Sequence, residues 1–381
     1  MSEHYRHLGI FSDWVAFART QHSLYPKAIP GPPTQALIRE TLGFCHTNEN
    51  PLDAKPERQW QEGDLIGQEV SWSVGYGPRT RAYVFKPANV SGPLPAIIAL
   101  HDHSDIKYYG KEKIADGPEG SLPVLRNFRQ SLYGGRAYVN ALAREGFVVL
   151  AHDVFLWGSR RFPFNTMMQM VGKPTTAMLE ASPTHSSSSD EFESYNVAAH
   201  FHEHWASKYC NILGTSMAGV VAFEDRVALN YLLSRPDVDA DRVGCIGLSG
   251  GGNRAALLNA THDRLSAVVI VGLMSTYDAL LDHNMSHTWM LFPFGWARHG
   301  DWPDIAACRA PVPLLVQYDL QDHLFTETGM REAHARLQDH YASVGHPDAY
   351  SGQFYPGPHK FDLEMQSAAF GWFKRELLKA A

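Results

Sequence analysis

Cysteine is scarce in this chain: Cys45, Cys210, Cys245 and Cys308 are the four in 381 residues, and no two form a CxxC pair. That spacing argues against a disulfide framework or a zinc ribbon and leaves ordinary reduced thiols as the expectation. No stretch reaches the roughly 18 apolar residues of a membrane span. The first seven residues are polar and lack the apolar core of a signal peptide. Long basic runs are missing too, and the formal net charge is −7 with a pI near 6.3. Nucleic acid and anionic membranes are therefore not expected as partners. Together these absences predict a cytoplasmic protein. What the chain does have is apolar mass: 44% hydrophobic and 12% aromatic residues, enough to bury a large core.

Short apolar runs at 95–100, 146–151, 243–248, 267–271 and 313–317 have the composition of strands buried on both faces. Helical spacing recurs at 132–145, 211–234, 330–341 and 361–378, and 68–86 alternates like a hairpin. Strands and helices in this alternation predict an α/β fold, a doubly wound, mostly parallel sheet with helices on both faces. Residues 1–67 contain proline clusters and are expected to form a helical or irregular extension packed on a catalytic domain spanning 68–381. The pattern is lost at about 154–210, which includes a serine run at 186–189, and again at 274–305, which is rich in His, Trp and Met. Both are expected to be insertions over the active site.

The chemistry begins at Gly247-Leu248-Ser249-Gly250-Gly251, which follows an apolar strand and precedes a helical stretch. A G-x-S-x-G turn between strand and helix exposes the serine hydroxyl, and the helix N-terminus supplies free N–H groups where an oxyanion develops. Ser249 is thus the candidate nucleophile. It needs a base, and the base needs an orienting carboxylate. In an open parallel sheet such groups collect at the carboxyl ends of strands. Beyond the strand at 313–317 stand Asp319 and Asp322. Asp322 is favoured because it lies deeper in the turn, where Asp319 has the bland role of bonding local backbone. Beyond the strand at 350–355, His359 sits on a Gly/Pro loop. The chain order Ser249, Asp322, His359 is that of the α/β-hydrolase triad.

These residues resemble the α/β-hydrolases, and most of all the branch holding dienelactone-hydrolase-like and acetyl (xylan) esterases. The resemblance covers the chain from about residue 68 onward. It implies that the backbone N–H groups of Gly250 and His103 form the oxyanion hole, His103 lying in the turn after the third family strand. Asp102 stands where that family commonly has glycine, so its side chain is expected to turn away. The resemblance further implies a serine carboxylic-ester hydrolase of short-acyl type working through an acyl-enzyme, without metal or cofactor, on a small-molecule ester. A homo-oligomer is left open. An amidase, peptidase, lactonase or C–C bond hydrolase uses the same triad, and a catalytically silent binding protein would keep the fold alone.

Three other features compete with this reading. Gly214-Thr215-Ser216-Met217-Ala218 fits the same serine pattern, but no apolar strand leads into it, and Ser216 reads as a small residue within a helix. His200 and His204 share a helix face but have no placed third ligand, and His101 and His103 next to Asp102 are more commonly a strand-end turn than a metal site. Finally, Trp157, Arg160, His287 and Trp289 lie in the insertions. They either line the substrate pocket, with the arginine holding a carboxylate, or fill an insertion's own core.

Overall fold

Alternation decides where each strand sends its side chains. Along Leu94–Leu100, Ala96, Ile98 and Leu100 enter one core and Ile97 and Ala99 a second, all fully buried. A strand that is apolar on both faces requires a helix layer on each side, and the computed structural model has that arrangement. It describes residues 5–44, 48–181 and 191–378; Cys45 and the serine run at 186–189 lie outside them.

One sheet contains β1 (Leu52–Glu62), β2 (Leu65–Ser73), β3 (Thr80–Pro87), β4 (Leu94–Leu100), β5 (Val148–His152), β6 (Val238–Leu248), β7 (Ala267–Val271), β8 (Leu314–Asp319) and β9 (Tyr350–Tyr355). Their spatial order is β1-β2-β3-β5-β4-β6-β7-β8-β9. The first three and the β3–β5 pair are antiparallel; every later pair is parallel. The helices are α1 (Asp13–Gln21), α2 (Pro32–Leu42), α3 (Arg126–Leu132), α4 (Tyr138–Arg144), α5 (Phe164–Ala181), α6 (Glu191–Ile212), α7 (Met217–Leu233), α8 (Gly250–Thr261), α9 (Trp302–Ala307), α10 (Glu327–Ser343) and α11 (Leu363–Leu377). Residues of α2, α7, α8, α9 and α10 cover one face, and α4 with α11 the other. None of the described helices is long and apolar enough to cross a membrane.

Strand order reverses between β4 and β6: the chain goes from β4 to β5 on one side, then returns to build β6 to β9 on the other. Such a switch point leaves a crevice at the carboxyl ends of the two strands. Leu100 of β4 pairs with Gly247 of β6, so the loop after β4 and the turn after β6 open into the same crevice.

Four expectations change. The sheet begins at Leu52, not at residue 68, because β1 is an edge strand. Its residues are nearly all exposed, so it has no apolar alternation to read. The insertion at 154–210 is mostly helical. There α5 and α6 pack on each other through Met167, Val171, Tyr195, Ala198 and Ala199, a small core apart from the sheet. The helix expected at 211–234 starts at Met217, after α6 has ended at Ile212. The helix expected at 132–145 exists only as α4, preceded by the separate short α3.

Candidate active site

Between the end of β6 and the start of α8 a single residue, Ser249, reverses the chain. Its φ is 57°, the left-handed region that a β-carbon resists. Hydrogen bonds on both sides hold it there: Ser249 N–H donates to Val271 O at 2.9 Å, and Asn253 N–H donates to Ser249 O at 2.9 Å. Strain kept in place by its surroundings is a mark of functional turns. Glycine is required around it. A β-carbon at Gly251 would collide with the Leu100 carbonyl oxygen, and one at Gly250 would lie 2.7 Å from the amide nitrogen of His103.

The carboxyl end of β8 and the loop after β9 bring the titratable groups in. His359 Nδ1 and Asp322 Oδ2 are 2.6 Å apart, and Asp322 Oδ1 accepts from Leu324 N–H at 2.8 Å. His359 Nε2 is buried and has no hydrogen-bond partner. Burial pushes the imidazole pKa down. The Asp322 hydrogen bond and charge, joined by Asp319 and Asp102, outweigh it, and the pKa ends above its usual value. Asp319 is also present but differently bound. Its Oδ2 accepts from Lys360 N–H at 3.0 Å, Oδ1 is unpartnered, and burial pushes its pKa up to about 7. Asp319, Asp322 and His359 place donor atoms within 4.8 Å of one another. The pair with the histidine belongs to Asp322.

Asp102 does turn away from the crevice. Its carboxylate meets Lys113 Nζ at 3.0 Å and the Tyr133 hydroxyl, all three side chains being buried. Burial pushes the Asp102 pKa up, but Lys113 and its hydrogen bonds bring it below the usual value. The following residue, His103, then lies beside Gly250.

A cavity of about 490 Å³ opens over Ser249 and His359, lined also by His103, Glu203, His287 and Trp289. Hydroxyl, amide and imidazole groups line much of it, including Ser131, Asn284, Ser286 and Thr288. Two of the four expected pocket residues are therefore there: His287, whose pKa burial pushes down to about 3, and the exposed Trp289. The other two are not. Trp157 packs edge-on behind the His103 ring at 5.2 Å, in the core that α6 and α7 share. Arg160 is buried against Glu224 and donates to the Tyr76 and Pro78 carbonyls, which leaves it no approach to a substrate carboxylate. Residues directly after β5 turn inward because the inserted helices cover them.

The competing features resolve locally. Ser216 is the N-cap of α7, its hydroxyl accepting from Gly219 N–H at 3.0 Å. His200 faces Asp105 at 3.3 Å, while His204 Nδ1 accepts from the Trp289 indole N–H at 2.9 Å. The His101 ring is buried, Nδ1 lying 2.9 Å from Asp102 O. Glu203, between His200 and His204, is among the lining residues that motif reading missed. A buried carboxylate within a polar helix gives no local signal.

A doubly wound sheet with a serine at the β6–α8 turn, an acid after β8 and a histidine after β9 defines the class: the chain has the α/β-hydrolase fold. It is similar to the Bacillus subtilis (strain 168) protein named "Putative hydrolase YtaP", 27% identical over 307 residues that make up 80% of this chain and 85% of the other. Similar solved structures include a glucuronoyl esterase from Solibacter usitatus (TM-score 0.62, 15% identical, covering 90% of this chain and 91% of that one). Acetyl xylan esterase 1 from Thermoanaerobacterium sp. JW/SL YS485 is another (TM-score 0.56, 14% identical, covering 93% and 96%). The methylesterase BT1017 superposes with a TM-score of 0.58 at 20% identity over 90% of this chain, which spans only 62% of that protein. No family profile matches the chain. At these identities the structural likeness establishes the fold, and an acetyl xylan esterase is among the neighbours, as the motifs led us to expect.

Proposed function

We propose that this chain is a serine carboxylic-ester hydrolase of short-acyl type. The observation that carries the reading is the Asp322–His359 pair at 2.6 Å, whose free, buried Nε2 borders the same cavity as the strained Ser249. In this reading Ser249 Oγ attacks the ester carbonyl while His359 Nε2 takes its proton. Asp322 holds the tautomer and stabilises the imidazolium. The amides of Gly250 and His103 receive the oxyanion, each worth ~10²–10³ in rate for donors of this kind. The alcohol leaves with the proton from His359, and water activated by the same nitrogen releases the acid. The names of the structural neighbours support an ester as the scissile bond. The cavity of about 490 Å³, where hydroxyl and imidazole groups interrupt an otherwise largely apolar lining, accommodates a small-molecule ester.

Hydrolysis of p-nitrophenyl acetate tests the reading. Ser249→Ala is expected to lower kcat by roughly 10⁴-fold or more while the circular dichroism spectrum stays unchanged. A folded variant retaining kcat within tenfold of the parent would overturn the nucleophile assignment.

A further inference from the structure

Glu203 is a carboxylate where a covering helix would ordinarily place an apolar side chain. It sits on α6, and its side chain is only 7% exposed. Burial of a lone carboxylate is costly, and here both oxygens are fully engaged. Oε2 meets Lys107 Nζ at 2.5 Å and His103 Nε2 at 2.7 Å. Oε1 accepts from the Thr288 hydroxyl at 3.0 Å and from Trp289 N–H at 3.4 Å. Burial pushes the Glu203 pKa up, but Lys107 and His103 outweigh it and hold the carboxyl well below its usual range.

The geometry of His103 gives this cluster a direction. Asp105 N–H donates to His103 Nδ1 at 3.1 Å, so the ring proton resides on Nε2 and points at Glu203. Trp157 closes the ring from the side at 5.2 Å. Lys107 is itself anchored to α6, its Nζ donating to Ala199 O at 3.2 Å and its N–H to Asn196 Oδ1 at 2.8 Å. The loop after β4 is thus pinned at Asp102 by Lys113, and at His103 and Lys107 by one carboxylate of the insertion.

We propose that Glu203 is a positioning residue for catalysis: by locking the His103 ring it aims the His103 amide beside Gly250 into the oxyanion position, and by holding Thr288 and Trp289 it sets the facing wall of the cavity. The inference rests on the proposed Ser249 chemistry. A misaimed donor weakens the transition state and leaves the bound ester nearly untouched, because a displacement of ~1 Å at such a site costs about 10²-fold in rate.

Three variants test it with p-nitrophenyl acetate. Glu203→Gln removes the charge that orients the cluster. His103→Leu removes the ring but keeps both the main-chain amide and the Glu203–Lys107 pair, so it remains informative if the first variant folds poorly. Each is expected to lower kcat about 10²-fold with KM within about threefold of the parent. The double variant is expected to fall well short of the product of the two single losses, since the His103 amide is common to both while only Glu203 also holds the cavity wall. A purely structural Glu203 would lower the melting temperature and the folded fraction without moving kcat per folded molecule. Parental kcat in folded His103→Leu, or multiplicative losses in the double variant, would overturn the proposal. Activity surviving in Ser249→Ala would instead overturn the underlying nucleophile assignment, and the two failures are told apart by that control.

Discussion

Two carboxyls stand within reach of one imidazole, and chemistry assigns them different work. Asp322 spends an oxygen on His359 Nδ1, whereas Asp319 spends one on a backbone N–H and buries the other unpaired. Because a base must be neutral to accept a proton, the raised His359 pKa places the acid limb of kcat/KM above pH ~6.5, the ordinary histidine value. Asp322→Asn is expected to shift that limb to lower pH and to reduce kcat by about 10⁴-fold, through loss of the productive tautomer. A pH–rate profile of parent and variant checks both. Asp319→Asn should change kcat by less than about tenfold, but it alters stability with a defined sign. Its carboxyl titrates near 7 when folded, against an ordinary value of ~3.9. The stabilisation it carries is complete below pH ~4 and is lost as pH rises through about 7. The asparagine variant should therefore melt above the parent at pH 8, by a smaller margin at pH 5, and keep no such margin below pH ~4, as differential scanning fluorimetry would record. Motif order made Ser249 and His359 legible from sequence, because Ser249 ends an apolar strand and His359 stands alone on the Gly/Pro loop after the last strand. Asp319 and Asp322 stayed a choice, since both follow the same strand and only the side-chain direction separates them. The role of Arg160 stayed open for a related reason. An arginine after a central strand looks available until the partner that neutralises it, Glu224, is seen 64 residues further on.

Elements were legible where burial leaves a period and obscure where it does not. The strands β4 to β8 contain apolar runs because helices cover both of their faces. By contrast β1 is held by pairing with β2 and has little burial to write into its sequence. The helices α5 and α6 bury their shared stripe against each other, and α5 carries Pro174 within it, a residue that ordinarily ends or kinks a helix. The break between α6 and α7 was missed because Gly214-Thr215-Ser216 is both a false serine motif and a real capping sequence. Ser216→Ala removes the hydroxyl that accepts from Gly219 N–H, and loss of such a cap costs about 1 kcal/mol. The expected outcome is a measurably lower urea midpoint with kcat on p-nitrophenyl acetate unchanged. A loss of kcat out of proportion to the folded fraction would return Ser216 to consideration as a reacting group.

Across the whole molecule, the crevice depends on elements far apart in sequence keeping their relative heights. Beneath Ser249, Arg254 of α8 pairs with Asp225 of α7 at 2.6 Å and donates to the His101 carbonyl at 3.1 Å. Asp225 also meets His152 of β5 at 2.8 Å. All of these side chains are fully buried. The group joins the helix that follows the nucleophile to the loop that bears His103, across a separation that no local pattern reveals. Taking these charges out of water is expensive, so the network is not a large net source of stability. Removing one member, however, strands the others. Asp225→Leu is therefore expected to cost about 3–5 kcal/mol, because Arg254 is left charged in the core. Adding Arg254→Met to that variant removes the stranded charge and should recover part of the loss, though arginine alone is the donor to His101 O. Urea denaturation of the two singles and the double measures this coupling. If the double variant were destabilised by the sum of its parts, Asp225 and Arg254 would be acting independently. The Arg254 hydrogen bond to the His101 carbonyl would then join α8 to the loop after β4 without help from Asp225.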